Sequence, residues 1–368
     1  MAHEGLLRTG GNVHFRNDRS SVTGTIPKRL EAAGAILLAT TNVPELGFWF
    51  ECFNKIYGVT NNPYDLKRTP GGSTGGEAAL IGAGCSPLGV GSDIGGSLRM
   101  PAFFCGIAAH APTRGQVPLT GHFPYQPGEL AEQEPDARPK TVVGPMTKRV
   151  RDLDLVMNVI SGPDGQDPQC ATRYRPLAAP LDVNHLQVFL LSDPQMHLAS
   201  RASAELIGEV HAAGRWLQGM GAQVQDLEPR LFKNAVGNWV DAIRVKKQST
   251  FTEFLMQTSE SEDLRGRQKK LLRDLVRLPF GKNSYTLPSL ATAFAESFVV
   301  FQKQEQARNG TSAGFAEVRQ LKAKLNSLLG KNGVILLPTH PKTAPRHFQA
   351  LWTPFDYIFA GIWIALEM

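Results

Sequence analysis

Cysteine is scarce in this chain of 368 residues: Cys52, Cys85, Cys105 and Cys170 form no Cys-x-x-Cys pair and no spacing that suits tetrahedral zinc. Neither a disulfide framework nor a zinc centre is expected, and the four thiols read as reduced and buried, in apolar or loop surroundings. Histidine offers no alternative metal site, because His340 and His347 stand seven apart in a proline-rich stretch, a spacing that fits no coordination geometry well. No run of about 18 apolar residues occurs, so no segment reads as a membrane-spanning helix. The opening MAHEGLLRTGG has no apolar core of a secretory leader. Internal repeats and low-complexity tracts are missing, which sets aside solenoids and propellers. No Gly-Lys-Ser/Thr follows the glycine-rich loops, which argues against a nucleotide-phosphate cradle, and no cofactor is expected.

Hydrophobic residues make up 42% of the chain, enough for a large core in one large domain or two smaller ones. The net charge of +6 arises from 39 basic residues set against 33 acidic ones and scattered among them, so an ordinary solvated surface is expected rather than a nucleic-acid face. The first half alternates apolar helices with short apolar runs. Helix is expected from Ile26 to Gly34, strand over Ala35–Ala39, helix over Gly75–Ala83 and strand from Pro87 towards Ser97. A strand over Ile107–His110 leads into a Pro- and Gly-rich loop, Ala111–Pro135. Helix over Lys148–Ile160, strand over Leu186–Leu191, helix over Ala202–Met220 and strand over Gln223–Leu227 continue the alternation. A helix over Glu317–Leu329 and a strand over Val334–Leu337 close it. The expected class is α/β, with a mixed, largely parallel sheet covered by helices on both faces. Between 230 and 309 longer amphipathic helices replace this rhythm. There Phe251, Phe254, Leu255, Phe280, Tyr285, Phe294, Phe298 and Phe301 read either as core or as the lining of an apolar channel. The basic run Arg265–Arg273 reads as a solvated helix face, with peripheral membrane contact kept as the alternative.

The most informative stretch is Pro70–Arg99, where Ser73 and Ser97 each sit among glycines, 24 positions apart. Glycines beside a serine remove the Cβ atoms that would block a substrate and let backbone N–H groups converge. The N–H groups of Ile94, Gly95, Gly96 and Ser97 are therefore candidates for an oxyanion hole around Ser97. Asp93 and Arg99 flank that serine with opposite charges and read as a supporting ion pair. Gly71-Gly72-Ser73-Thr74-Gly75 also satisfies the Gly-x-Ser-x-Gly elbow of α/β hydrolases, but the polar stretch Asp65–Pro70 before it is not the apolar strand an elbow requires.

The pattern Gly71-Gly72-Ser73-Thr74-Gly75-Gly76 followed by Gly91-Ser92-Asp93-Ile94-Gly95-Gly96-Ser97-Leu98-Arg99-Met100-Pro101 resembles the amidase signature family. Asn42-Val43-Pro44-Glu45-Leu46, Asn61-Asn62-Pro63-Tyr64-Asp65 and Gly144-Pro145-Met146 with Val150-Arg151-Asp152-Leu153 extend the likeness over most of the chain. Phe103-Phe104-Cys105-Gly106 and Pro338-Thr339-His340-Pro341 resemble its fatty-acid amide hydrolase branch. The resemblance implies a single amidase signature domain over residues 1–368, with 230–309 shaping an acyl channel. It implies Ser97 as nucleophile, Ser73 as proton relay with a cis peptide bond from the glycine before it, and Thr74 in support, acting on a small-molecule amide, fatty-acid amides first.

The same resemblance calls for a lysine base well upstream of the relay serine, and Met1–Arg8 contain no lysine. Lys28, the first in the chain, reads as a solvated helix residue. A serine hydroxyl without a positioned base loses roughly 10² to 10⁴ in rate, so weak or absent turnover is expected. The chain is expected to be incomplete at both ends, leaving an apolar sheet edge or helix face uncovered. An intracellular location is expected, and a non-catalytic member that binds lipid amides or a partner is the alternative.

Overall fold

A computed structural model describes residues 1–123, 140–176, 181–243, 251–256, 264–277, 283–293 and 313–368. In chain order the elements are α1 (Thr25–Ala32), β1 (Phe53–Asn54), β2 (Gly58–Val59), α2 (Gly75–Gly82), β3 (Leu88–Asp93), α3 (Arg99–Phe104), β4 (Ala108–Ala109) and β5 (Val142–Thr147). There follow α4 (Val150–Ile160), β6 (Gln187–Leu190), α5 (Ala204–Gly219), β7 (Gln223–Asp226), α6 (Ala235–Ile243), α7 (Phe251–Met256), α8 (Leu264–Arg277), α9 (Ala313–Leu329), β8 (Gly333–Leu336) and α10 (Ile358–Leu366).

The chain is α/β, and the expected parallel pairing is present where β6 lies between β7 and β8. The strand that carries the serine loop belongs to a different set: β5 lies between β3 and β4, antiparallel to both. Every residue of β5 is buried. Pro145 at its centre has no N–H to give, yet its carbonyl accepts the N–H of His110 at 3.1 Å, so the residue still holds the neighbouring strand.

Two packing units flank these sheets. Val156, Met157 and Ile160 of α4 meet Ile26 of α1, Val117, Leu119 and Val143 in one apolar cluster. Arg29 of α1 fastens that contact by donating to the carbonyls of Ile160, Ser161, Gly162 and Pro163, at 2.8 to 3.0 Å. A guanidinium at a helix C-terminus satisfies orphan carbonyls and opposes the negative end of the helix dipole. In the second unit α10, buried along its whole length, packs with α6, α9, Phe189 and Phe232.

Glu367, just past α10, gathers three cations: Arg114 at 3.0 Å, Lys140 at 2.6 Å and Lys322 at 3.0 Å. Burial pushes its carboxyl pKa upward, but the bonds from Lys140 and Lys322 outweigh that and bring it down to about 2. The stabilisation is present above the ordinary pKa of 4.5 and fades as pH falls towards about 2. Glu367→Gln is expected to lower the melting temperature at pH 7, with the deficit shrinking across that window. A deficit that stays constant down to pH 2 would remove the charge argument.

One expected element is missing. Residues Ala35–Ala39 form no strand; Ile36 is 84% exposed and Leu38 64%, and the segment's backbone bond among the described residues runs from Ala35 N–H back to the Leu30 carbonyl at the end of α1, at 2.9 Å. A continuous apolar run gives a strand only where a neighbouring strand accepts its hydrogen bonds, and none of the described strands runs alongside. All four cysteines are free thiols, but burial holds for Cys52, Cys105 and Cys170 and not for Cys85, which lies exposed in the turn after α2. The loop expected over Ala111–Pro135 is described only as far as 123. Among the described residues no helix is long and apolar enough to cross a membrane.

Candidate active site

The Gly71–Ser73 turn exists because backbone presses on it from two sides. A Cβ on Gly71 would lie 2.8 Å from Pro101 Cα, and one on Gly72 would lie 2.7 Å from the Trp49 carbonyl oxygen. Gly71 also has φ of +86°, where only glycine is unstrained. The Gly72–Ser73 peptide is cis. Helix α2 then begins against other backbone: a Cβ on Gly76 would clash with Asn42 N and O, and Gly76 N–H donates to the Asn42 carbonyl at 3.1 Å. Asn42 is thereby tied to the first turn of the helix that follows Ser73.

The Ser97 loop leaves the end of β3 and enters α3. Asp93, fully buried, organises it with both carboxylate oxygens. Oδ1 accepts Gly96 N–H at 2.6 Å and Arg99 Nη2 at 2.9 Å, while Oδ2 accepts Leu98 N–H at 3.1 Å and Arg99 Nε at 3.0 Å. The expected Asp93–Arg99 pair is thus bidentate and doubles as a clamp on the loop. Burial pushes the Asp93 carboxyl upward, but the Arg99 charge and these four bonds overcome it and hold the pKa below the usual carboxylate range.

That clamp alters the expected oxyanion cradle. The Gly96 N–H is committed to Asp93, so it is not one of the free donors. The N–H groups of Ile94, Gly95 and Ser97 have no acceptor among the described residues, leaving three donors rather than four.

The two loops meet through the backbone, since Thr74 N–H donates to the Ser97 carbonyl at 3.2 Å and Thr74 Oγ1 to the Ser92 carbonyl at 3.4 Å. Gly91 makes room for this contact, because a Cβ there would collide with the Thr74 side chain. Ser73 is 7% exposed and Ser97 8%, and neither hydroxyl is hydrogen-bonded among the described residues. Both can therefore turn towards a ligand.

Several neighbours of the site come from segments well away from the two serine loops. A Cβ on Gly47 would sit 3.6 Å from Ser73 Oγ, which places the 45–47 turn beside that serine. Glu45 anchors that turn by accepting the N–H and hydroxyl of Thr286 at 2.9 and 3.1 Å. Leu46 packs against a cluster built from Phe251, Leu255, Met256, Leu271, Tyr285 and Leu290. Phe48 stacks on Phe251 with ring centroids 4.5 Å apart. Of the residues expected to line a channel, Phe251, Leu255 and Tyr285 thus gather in one buried cluster next to the 45–48 turn. Phe280, Phe294, Phe298 and Phe301 lie outside the described residues, as does the side chain of Phe254. Within Arg265–Arg273 the side chains of 265–270 are likewise outside, while Leu271 is buried and Leu272 and Arg273 are exposed. Lys28 is exposed on α1, as expected of a solvated helix residue. His340 is buried between Phe50 and Phe104, a packed position rather than a ligating one.

Two buried serines on glycine turns, joined through backbone, stand together on an α/β scaffold. The chain belongs to the amidase family, whose model matches residues 2–365. It is 32% identical to human fatty-acid amide hydrolase 2 over 375 residues, covering 99% of this chain and 65% of that protein, so it spans just under two thirds of that relative's length. It is 28% identical to a component of the glutamyl-tRNA(Gln) amidotransferase of Thermus thermophilus, covering 94% of this chain and 69% of that one. A solved fatty acid amide hydrolase shares the fold with a TM-score of 0.69 at 23% identity, covering all of this chain and 58% of that one.

Proposed function

We propose that this chain is a serine-dependent hydrolase of carboxylic amides, with fatty-acid amides as the preferred class. The observation that carries the reading is the Thr74-to-Ser97 backbone bond, which sets two buried, uncommitted serine hydroxyls on adjoining turns beside unpaired N–H groups. In this reading Ser97 Oγ attacks the amide carbon and passes its proton to Ser73 Oγ, whose own proton goes to a base. The N–H groups of Ile94, Gly95 and Ser97 receive the negative oxygen as the tetrahedral centre forms. Ser73 then protonates the departing nitrogen, the C–N bond breaks, and water hydrolyses the acyl ester on Ser97.

Two features support an acyl rather than a small polar substrate. The apolar cluster around Phe251 reaches the 45–48 turn beside Ser73, and the chain is similar to a fatty-acid amide hydrolase along almost its whole length. The base is the slow point. The lysine ammonium groups hydrogen-bonded among the described residues engage Asn283, Glu367, Tyr64 and the Gly82 carbonyl, and none engages Ser73 or Ser97. Turnover is therefore expected to be slow compared with the ordinary range of about 1 to 10³ s⁻¹.

The test is release of free fatty acid from a long-chain primary amide by the purified chain, against its Ser97→Ala variant. Slow release that disappears in the variant is the expected result. Equal release from both would move the chemistry elsewhere, and no release together with tight binding of the intact amide would favour the non-catalytic alternative.

A further inference from the structure

Ile94 and Gly95 share one peptide group, and its carbonyl has a specific partner far away in the chain. Trp239 of α6 donates its indole Nε1–H to the Ile94 carbonyl oxygen at 2.8 Å, across 145 positions of sequence. We propose that Trp239 is the positioning residue of the oxyanion cradle, holding the Ile94–Gly95 peptide so that the Gly95 N–H faces the substrate oxygen. This inference rests on the amide-hydrolase reading of Ser97.

A peptide group is planar and trans, so its C=O and N–H point in opposite directions. Fixing the Ile94 oxygen towards α6 fixes the Gly95 hydrogen away from it. The neighbouring residues cannot do this by themselves, because Gly95 and Gly96 lack the Cβ atoms that restrict rotation, and a flipped peptide there costs little in local sterics. Asp93 holds the next group along through Gly96 N–H, and Trp239 holds this one. The two anchors leave the Gly95–Ser97 segment little freedom to turn.

The indole is itself held in place. It meets Tyr357 edge to face, with ring centroids 4.9 Å apart at 66°. Gly95 and Gly361 admit the ring: a Cβ on Gly95 would lie 3.3 Å from Trp239 Cζ2, and one on Gly361 would lie 3.3 Å from its Cδ1 and Nε1. Behind Gly96, Ala360 of α10 closes the other side, 2.7 Å from where a Cβ would stand. Helices α6 and α10 pack together, so the direction of one catalytic N–H is set by a helix pair well outside the serine loops.

The test compares wild type, Trp239→Phe and Ser97→Ala by the rate of covalent labelling with a long-chain fluorophosphonate. Phenylalanine retains an aromatic ring but has no N–H. The expected result is a maximal labelling rate lower by about tenfold in Trp239→Phe, below the roughly 10² to 10³ lost when a hole donor is removed outright. The probe concentration at half-maximal rate should change by less than about twofold and the melting temperature should be preserved, a split that lost packing alone does not produce. An unchanged maximal rate would overturn the inference, and so would slowing matched by a lower melting temperature. If Trp239→Phe does not fold, replacing Trp239 by benzothienylalanine, which exchanges N–H for sulfur at nearly the same shape, carries the same comparison. Absence of any Ser97-dependent label in wild type would instead sink the hydrolase reading, and this inference with it.

Discussion

Asp93→Ala is expected to lower stability by about 3–5 kcal/mol, the range for removing one partner of a buried ion pair. The carboxylate is fully buried and takes four hydrogen bonds, two from backbone N–H groups and two from Arg99. Alanine leaves the Arg99 guanidinium mostly buried without a counter-charge, and it frees the Gly96 and Leu98 N–H groups inside the protein. Chemical denaturation followed by far-ultraviolet circular dichroism measures the loss. Asp93→Asn should fall between wild type and alanine, because the amide oxygen can still accept while the charge is gone. The pH dependence has a definite sign: with its pKa held low in the fold, Asp93 stabilises the protein above the ordinary carboxylate range and loses that contribution as pH drops through the folded value. Loss below about 1 kcal/mol in Asp93→Ala would mean the loop is held by other contacts.

Ser73→Ala is expected to act on rate and not on stability. Its hydroxyl has no hydrogen-bond partner among the described residues, so its removal leaves no donor or acceptor stranded. In the proposed relay, however, it carries the proton that Ser97 must lose, and general acid–base help of this kind contributes roughly 10² to 10⁴ in rate when the base is in place. With no lysine engaging either serine among the described residues, part of that help is already lost, so the phosphonylation rate of Ser97 should fall by about tenfold with the melting temperature unchanged. A rate within about threefold of wild type would remove Ser73 from the relay.

The serine loops were legible in the sequence for a physical reason: glycines at Gly71, Gly72, Gly91 and Gly96 mark places where backbone or a neighbouring side chain comes too close for a Cβ, and such spacing survives in a linear string. The Asp93–Arg99 pair was legible too, being local to one turn of chain. Residues Ile36–Leu38 were not, because an apolar run states that burial is favourable without saying what covers it, and these side chains are exposed. In the sequence the Gly96 N–H reads as part of the cradle from its glycine surroundings alone. Its capture by Asp93 depends on the angle at which the loop leaves β3. Trp239 was illegible altogether, since α6 reads as an ordinary amphipathic helix and its contact with Ile94 arises only from the packing of α6 on α10.

Where a covalent label lands decides most directly whether Ser97 is the nucleophile. The purified chain is treated with a long-chain fluorophosphonate, digested, and the adduct is located by tandem mass spectrometry. A slowly formed adduct on Ser97 is expected, absent from Ser97→Ala and absent after prior unfolding. An adduct on Ser73 or any other residue in the native protein, or one that persists in Ser97→Ala, would refute that role.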